Sequence, residues 1–364
     1  LKINWLGLAQ SRPRPTVIGI PRGLAYYEYL PLWRAFFEAM GCQVLLSPVS
    51  NPAVLAQGKL RVVDEACSPV KIFFGHVYSL QGKVDHIFVP RLISVQEGTY
   101  LCPKFLGLPD MLRSVAALGD EQLPLLTVDV NCRQAGGGWS DALRTVGKQL
   151  GVAASRVRYA LQTALAMQAK YESQIQSGML LPEALAPWEK AGTLLLQGPP
   201  VPGKPVRKNQ PINLPGEEGP TVVVVGHPYV LFDPLISMGL ITKLRKRAVA
   251  VRTVMTVDGE EAGRATEHLP KRLFWSFGQQ LLGGALHWMG KPLEGMIFVA
   301  PFGCGPDSLI GDLVERFARR EGNLPFLLLT VDEHGGDAGM ETRLDAFLDV
   351  IEQKRQVRSA TVPV

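Results

Sequence analysis

The chain has 364 residues, 46% of them hydrophobic and 20% charged, with a formal net charge of +5; that length buries more than one core and favours two domains. The modest charge comes from clusters such as 243–247 and 316–320, which read as solvated helix faces without the motif or aromatic platform of a nucleic-acid binder. Apolar runs such as 222–225 and 326–329 fall far short of the roughly 20 residues that span a bilayer, the first 15 residues show no secretory pattern, and the five cysteines suit a reducing compartment, so a cytoplasmic protein that meets neither membrane nor nucleic acid is expected.

Short β-rich runs alternate with loops and helical patterns, the mark of parallel α/β folding. The first part predicts a strand at 16–20 entering the loop Pro21-Arg22-Gly23, a helix at 26–40 stopped by Gly41, a strand at 43–46, and strands at 86–90 and 125–128. Residues 142–195 have helical periodicity without strand signals, and 197–220 are dense in Pro and Gly, which predicts a helical connector and then a linker. The last part predicts strands at 221–225, 250–253, 295–300 and 326–330, with helices at 234–247, 273–289, 308–320 and 340–354. The expected fold is α/β: two doubly wound, Rossmann-like lobes at 1–141 and 220–364, joined by a helical connector and linker at 142–219. Each lobe opens on a strand ending in Gly-x-Pro, at Gly19-Ile20-Pro21 and Gly226-His227-Pro228, a faint sign of duplicated architecture.

Ligands of open α/β sheets sit outside the carboxyl ends of strands, and three cysteines fall in such places. Cys304 follows the strand at 295–300 in Pro301-Phe302-Gly303-Cys304-Gly305-Pro306-Asp307-Ser308, where glycines permit close approach and a helix start offers N–H groups to a thiolate or an anionic cluster. Cys102, in Leu101-Cys102-Pro103, and Cys67, in Glu65-Ala66-Cys67-Ser68-Pro69, also stand just ahead of helices with an early proline. They are 35 and 202 positions apart (102 − 67 and 304 − 102), unlike the local Cys-x-x-Cys arrays of ferredoxins or zinc ribbons. Spacing therefore leaves plain packing as an equal alternative. Cys42, at a helix-to-strand junction, reads as core, whereas Cys132, past the strand at 125–128 and before Gly136 to Gly138, is a candidate further ligand.

Histidines offer less. His76 and His227 are candidates for supporting hydrogen bonds or acid/base work, and His334, in Asp332-Glu333-His334, sits past the strand at 326–330, yet a lone His is more often a satisfied or exposed residue. The run Gly198-Pro199-Pro200-Val201-Pro202-Gly203-Lys204 imitates the opening of a Walker A loop, but Pro205 stands where Ser or Thr would hold magnesium, so no ATP site is expected there. No Gly-x-Gly-x-x-Gly turn follows the first strand.

With these residues in view, the chain resembles the acyl-CoA dehydratase activase-related protein family, itself similar to the iron–sulfur subunits of 2-hydroxyacyl-CoA dehydratases. The resemblance is carried by Ile18-Gly19-Ile20-Pro21-Arg22, by Glu65-Ala66-Cys67-Ser68-Pro69-Val70-Lys71 with Gly75-His76, by Leu101-Cys102-Pro103, and by 274–284 leading to Phe302-Gly303-Cys304-Gly305-Pro306-Asp307-Ser308. It implies that Cys67, Cys102 and Cys304 bind a 4Fe-4S cluster between the lobes, with one iron left for a non-cysteine ligand or a substrate. Some relatives hold a double-cubane cluster instead, and Cys132 is outside the pattern. It also implies a partner, an ATP-hydrolysing activase carrying its own iron–sulfur cluster, an acyl-CoA thioester as a candidate substrate, and an anaerobic host.

The expectation is thus an electron-transfer protein of the 2-hydroxyacyl-CoA dehydratase class, which accepts low-potential electrons and reduces a substrate or partner. A non-catalytic cluster carrier or maturation partner and a metal-free two-lobed binding protein are the rival readings. No residue set identifies a catalytic group or a CoA thioester. The apolar surface of 273–289 is explained equally by its own sheet or by a homodimer.

Overall fold

In the computed structural model, residues 14–134, 137–190, 219–321 and 324–360 are described. The Pro/Gly-rich linker at 197–218, with the Walker-like run at 198–205, and the stretch ahead of Arg14 lie outside them.

The first sheet contains β1 (Val17–Ile20), β2 (Gln43–Leu46), β3 (His86–Phe88) and, after the short β4 (Arg91–Ser94), β5 (Leu125–Leu126), in the order β2-β1-β3-β5. All its pairings are parallel. A further pair, β4 with β6 (Asp129–Asn131), is also parallel and carries on where β3 and β5 stop. The strand expected at 86–90 breaks at Pro90, which has no N–H to give to the ladder. The ladder itself continues on alternate residues, with Ile87, Val89 and Arg91 N–H donating to the carbonyls of Pro124, Leu126 and Val128.

The second sheet contains β7 (Thr221–Val225), β8 (Ala250–Thr253), β9 (Gly295–Pro301) and β10 (Phe326–Val331), in the order β10-β9-β7-β8, again parallel throughout. Side chains alternate across a strand, so Val222 and Val224 join one core with Ile297 and Val299, while Val223 and Val225 join a second with Met296 and Phe298. Both faces are covered, as a parallel sheet requires.

The two sheets repeat one topology. Counting strands within each, the spatial order is second, first, third, fourth, with the order reversing between the first and third strands at β1/β3 and at β7/β9. The crossover from second to third strand consists of two helices in both halves: Pro52–Lys59 and Ser68–Leu80 in one, Gly259–Ala265 and Ser276–Met289 in the other. Both helix pairs meet at glycine. A Cβ on Gly58 would lie 1.7 Å from the Lys71 carbonyl oxygen and one on Gly75 1.8 Å from that of Val54, while one on Gly283 would lie 2.2 Å from that of Ala262. Real atoms cannot approach so closely, so each crossing holds its two helices at a distance only glycine allows.

The helical periodicity at 142–195 corresponds to the helices Trp139–Gln149, Ala154–Gln176 and Leu181–Glu189. The second of these runs along the helix Tyr26–Met40, where the Tyr171 hydroxyl donates to the Tyr27 carbonyl at 2.6 Å and the Gln168 amide to that of Glu28 at 2.9 Å. The helix Ser276–Met289 turns Gly278, Leu281, Leu282 and Ala285 inward, so its apolar face packs within the chain. Of the helix expected at 234–247 only Leu240–Lys246 forms, beginning after the left-handed Gly239, and a short helix, Pro228–Leu231, precedes that stretch.

A three-cysteine candidate site

Cys67, Cys102 and Cys304 are each the residue that precedes a helix: Ser68–Leu80, Pro103–Leu118 and Gly305–Arg320. Each is in the extended region, at φ/ψ of −62/149, −64/153 and −87/102 degrees, and each is followed by Pro in the first turn. The third helix begins at Gly305 rather than near 308, which makes Cys304 its capping residue. Proline suits the first turn because its missing N–H is one that the helix leaves unpaired. The N–H of the residue three places on faces each sulfur, from Val70, Phe105 and Asp307 respectively, and favours a thiolate without closing a full cap bond.

The three loops reach one another through reciprocal contacts. Ahead of Cys102, Tyr100 forms a parallel bridge to Trp275: its N–H donates to the Phe274 carbonyl at 2.9 Å, and Ser276 N–H donates back to Tyr100 at 2.8 Å. Ahead of Cys304, Gly303, at φ +76°, comes so close to the Glu65–Cys67 backbone that an added Cβ would lie 3.5 Å from the Glu65 carbonyl oxygen and 4.0 Å from Cys67 Cα. Each third-strand loop thus leans on the second crossover helix of the opposite half. In the first half that helix is capped by Cys67, and its counterpart in the second half is capped by Trp275.

The thiols share one electrostatic environment. Burial pushes Cys67 up to about 11, with the neighbouring Cys102 thiolate adding to the rise. Cys102 is raised by burial and by Asp307, and Cys304 still more, first by burial, then by Asp307 and the other two thiols. All three are half-buried and free. Near neutral pH they carry protons that a metal group would have to displace.

Beneath them lies a polar and aromatic floor. The buried His227, from the Gly-x-Pro turn after β7, shares a 2.8 Å hydrogen bond between its Nε2 and Asp307 Oδ1. Its ring stacks on Tyr229 at 4.9 Å between centroids, and Phe105 and Phe277 close the group. The Tyr229 phenol is held protonated by burial, then by Asp307 and all three thiols. Asp307 Oδ2 is buried without a hydrogen-bond partner, an arrangement that costs about 1–3 kcal/mol unless something outside the chain meets it. Asp307 and Tyr229 escape a reading by motif, although Asp307 stands three residues past Cys304 as its helix's third residue, where side chains turn back toward the cap.

Lys71 and Glu333 fasten the site. Their 2.5 Å ion pair, with side chains only 8% and 6% exposed, joins the Cys67 helix to the loop after β10, and the Ser68 hydroxyl donates to the same carboxylate. Burial would raise the Glu333 carboxyl, but Lys71 and Ser68 outweigh it and hold it down at about 2.

The remaining candidates lie elsewhere. Cys42 is core. Cys132 is half-buried with its sulfur near Gly138, and burial alone raises it, with no contribution from the other thiols. His76 is locked between the Ser47 and Ser50 hydroxyls at 2.9 and 3.0 Å, and burial, helped by Arg22, keeps it neutral with a pKa lowered to about 3. Its network crosses to the second half, because Ser50 also donates to Asp233. The His334 ring is mostly exposed.

Among the described residues, no group of three or more His, Cys, Asp or Glu side chains is placed to hold a single metal ion. A mononuclear site needs its donors about 2.0–2.3 Å from one point. A cluster gives each thiolate its own iron, so its ligands stand further apart. The thiol donor set, the three helix starts and the orphaned Asp307 oxygen fit a group of that kind. Among the described residues no helix is long and apolar enough to cross a membrane.

Residues 17–257 match the family model described as the CoA enzyme activase uncharacterised domain. The match includes Cys67 and Cys102 and ends before Cys304. No curated protein matches the chain.

Proposed function

Because this chain belongs to the CoA enzyme activase uncharacterised domain family over residues 17–257, we propose that Cys67, Cys102 and Cys304 hold a 4Fe-4S cluster between the two sheets and that the protein works as a reductively activated partner in CoA-enzyme chemistry. The observation that carries this reading is the approach of three cysteine loops from sequence positions as distant as 67 and 304, each cysteine at a helix start, with Gly303 packed on the Cys67 backbone and Tyr100 bridged to Trp275. Packing alone gives no reason for three cysteines to share one conformation and one environment. Cys67, Cys102 and Cys304 would hold such a group, and it would supply one-electron, low-potential chemistry between an ATP-hydrolysing activase and a substrate, a CoA thioester by resemblance, or a partner protein.

The chain's own residues supply the rest. The helix N-termini stabilise negative charge on the three sulfurs. His227 and Asp307 orient one another under Cys304, and Tyr229, Phe105 and Phe277 keep water from that side. The exposed rings of Phe302 and Phe274 and the exposed Leu309 border the thiol loops, an apolar rim that suits contact with a protein donor.

The test is spectral. Anaerobic protein mixed with an ATP-dependent activase, a reductant and ATP is expected to lose visible iron–sulfur absorbance only when all three are present. Iron-loaded protein that never changes under these conditions would leave a static carrier as the better reading.

A further inference from the structure

A cavity of about 460 Å³ lies between the helix Tyr26–Met40, the helix Ala154–Gln176 and the loops that follow β7 and β8. Tyr29, Tyr171 and Phe277 contribute aromatic surface to it. Every charged side chain on its wall is acidic: Glu28, Glu172 and Asp258, with no Lys or Arg among the described residues that line it. Two acceptor atoms there, Glu28 Oε2 and Gln168 Oε1, are buried without any hydrogen-bond partner. The Gln168 side-chain assignment is fixed by its own neighbours. Its amide nitrogen donates to the Glu28 carbonyl at 2.9 Å and to Glu172 Oε1 at 2.8 Å, so turning the amide over would set oxygen against oxygen. Gln168 is 8% exposed, and a buried acceptor left unmet is costly. Gln168 Oε1, and Glu28 Oε2 whenever its carboxyl is ionised, therefore ask for donors that no described residue provides.

We propose that this cavity binds a small organic cation, an ammonium or amidinium on an apolar body, whose N–H groups meet Glu28 and Gln168 and whose charge rests among the aromatic faces. A carboxylate or phosphate ligand would face Glu172 and Asp258, and would gain nothing from ionising Glu28, with no Lys or Arg among the described lining residues to offset them, so the anionic end of a CoA derivative does not belong here. A neutral amide satisfies the acceptors but gains nothing from the acidic wall or from ring faces that attract cations. The cavity shares His227 and Phe277 with the floor beneath the thiols, but its binding of a cation does not depend on iron being held there.

A proton couples to this binding. Burial pushes the Glu28 carboxyl up to about 8, so in the free cavity at pH 7 it is mostly protonated. The titratable groups around it are Tyr29 on its own helix, Tyr171 and Glu172 on the long helix, and His227 and Asp258 across the cavity. None is a lysine or arginine that would ionise it in advance. A cation selects the ionised carboxylate, so binding releases a proton and strengthens as pH rises toward 8.

The test uses benzamidine, with benzamide as its neutral isostere and benzoate as its anion, in calorimetric titrations of the purified protein and of Cys67→Ala. Benzamidine is expected to bind at least tenfold more tightly than benzamide, and benzoate not at all, with the same order in both proteins. Its affinity should rise about tenfold from pH 6.5 to 8, and its heat should scale with buffer ionisation at pH 7. Glu28→Gln should abolish the preference for benzamidine and the proton release, while the exposed Glu172→Gln keeps the proton release. If Glu28→Gln does not fold, the wild-type pH series decides alone. No benzamidine binding, equal binding of benzamidine and benzamide, or a flat pH series would each overturn the proposal and leave water as the cavity's occupant.

Discussion

The two sheets share strand order, two-helix crossovers and glycine crossings, yet they treat the loops at the switch point differently. Both third-strand loops end in a cysteine that caps the next helix, Cys102 in the first half and Cys304 in the second. At the start of the second crossover helix the halves part, with Cys67 in one and Trp275 in the other. A duplicated framework with four equivalent positions therefore carries three thiols and one indole. The difference teaches that the scaffold sets four equivalent loop positions, while single side chains decide which of them present a thiol. In the proposed site the Trp275 position offers no thiol, and His227 and Asp307 lie on the same half.

The contacts between the halves should be worth more than contacts within the surface. Lys71→Met leaves the Glu333 carboxylate buried without its cation, and chemical denaturation is expected to show a loss of about 3–5 kcal/mol. Arg247, whose partners Glu341 and Asp345 are 34% and 59% exposed, should cost under about 1 kcal/mol on replacement by Met. Equal losses would mean that the Lys71 pair is no better shielded than a surface one.

Gly75→Ala and Gly283→Ala test the equivalence of the crossovers. Each pushes a methyl into a backbone carbonyl, and each is expected to lower stability by about 1–3 kcal/mol or more in thermal or urea unfolding. A silent Gly283→Ala beside a damaging Gly75→Ala would break the parallel between the halves.

The join also has a pH signature. Glu333 is held at about 2, below its ordinary value of 4.5. A depressed carboxyl contributes stability that is full above the unfolded value and is lost as pH falls from about 4.5 toward 2. Unfolding midpoints measured across that window should fall less steeply in Glu333→Gln than in the wild type. At the small end of the range, Cys42→Ala should cost about 1 kcal/mol as a core truncation and leave metal content unchanged.

Much of this was legible in the sequence, because its signals are local. Valine-rich β7, the apolar run of β9, the stop at Gly41 and the early prolines after the cysteines each act within a few residues. The setting of Cys67, Cys102 and Cys304 was readable for the same reason, as was the core role of Cys42. That the three cysteines come together was implied by the family resemblance and not by their spacing, since it depends on the Tyr100–Phe274 bridge and the Gly303–Cys67 approach, which span more than 170 residues. Lys71 with Glu333 and Glu28 with Gln168 were likewise invisible, because a charge or an amide acquires its meaning only from burial. The break between Phe88 and Arg91 carries a local signal as well, because Pro90 cannot donate even though strand propensity runs through it.

The central claim rests on iron and acid-labile sulfide in anaerobically purified protein, compared with Cys67→Ala, Cys102→Ala, Cys304→Ala and Cys132→Ala. The account expects about four irons per chain, lost in the first three variants and kept in the fourth; protein that holds no iron in any anaerobic preparation, or loses it equally with Cys132, would contradict it.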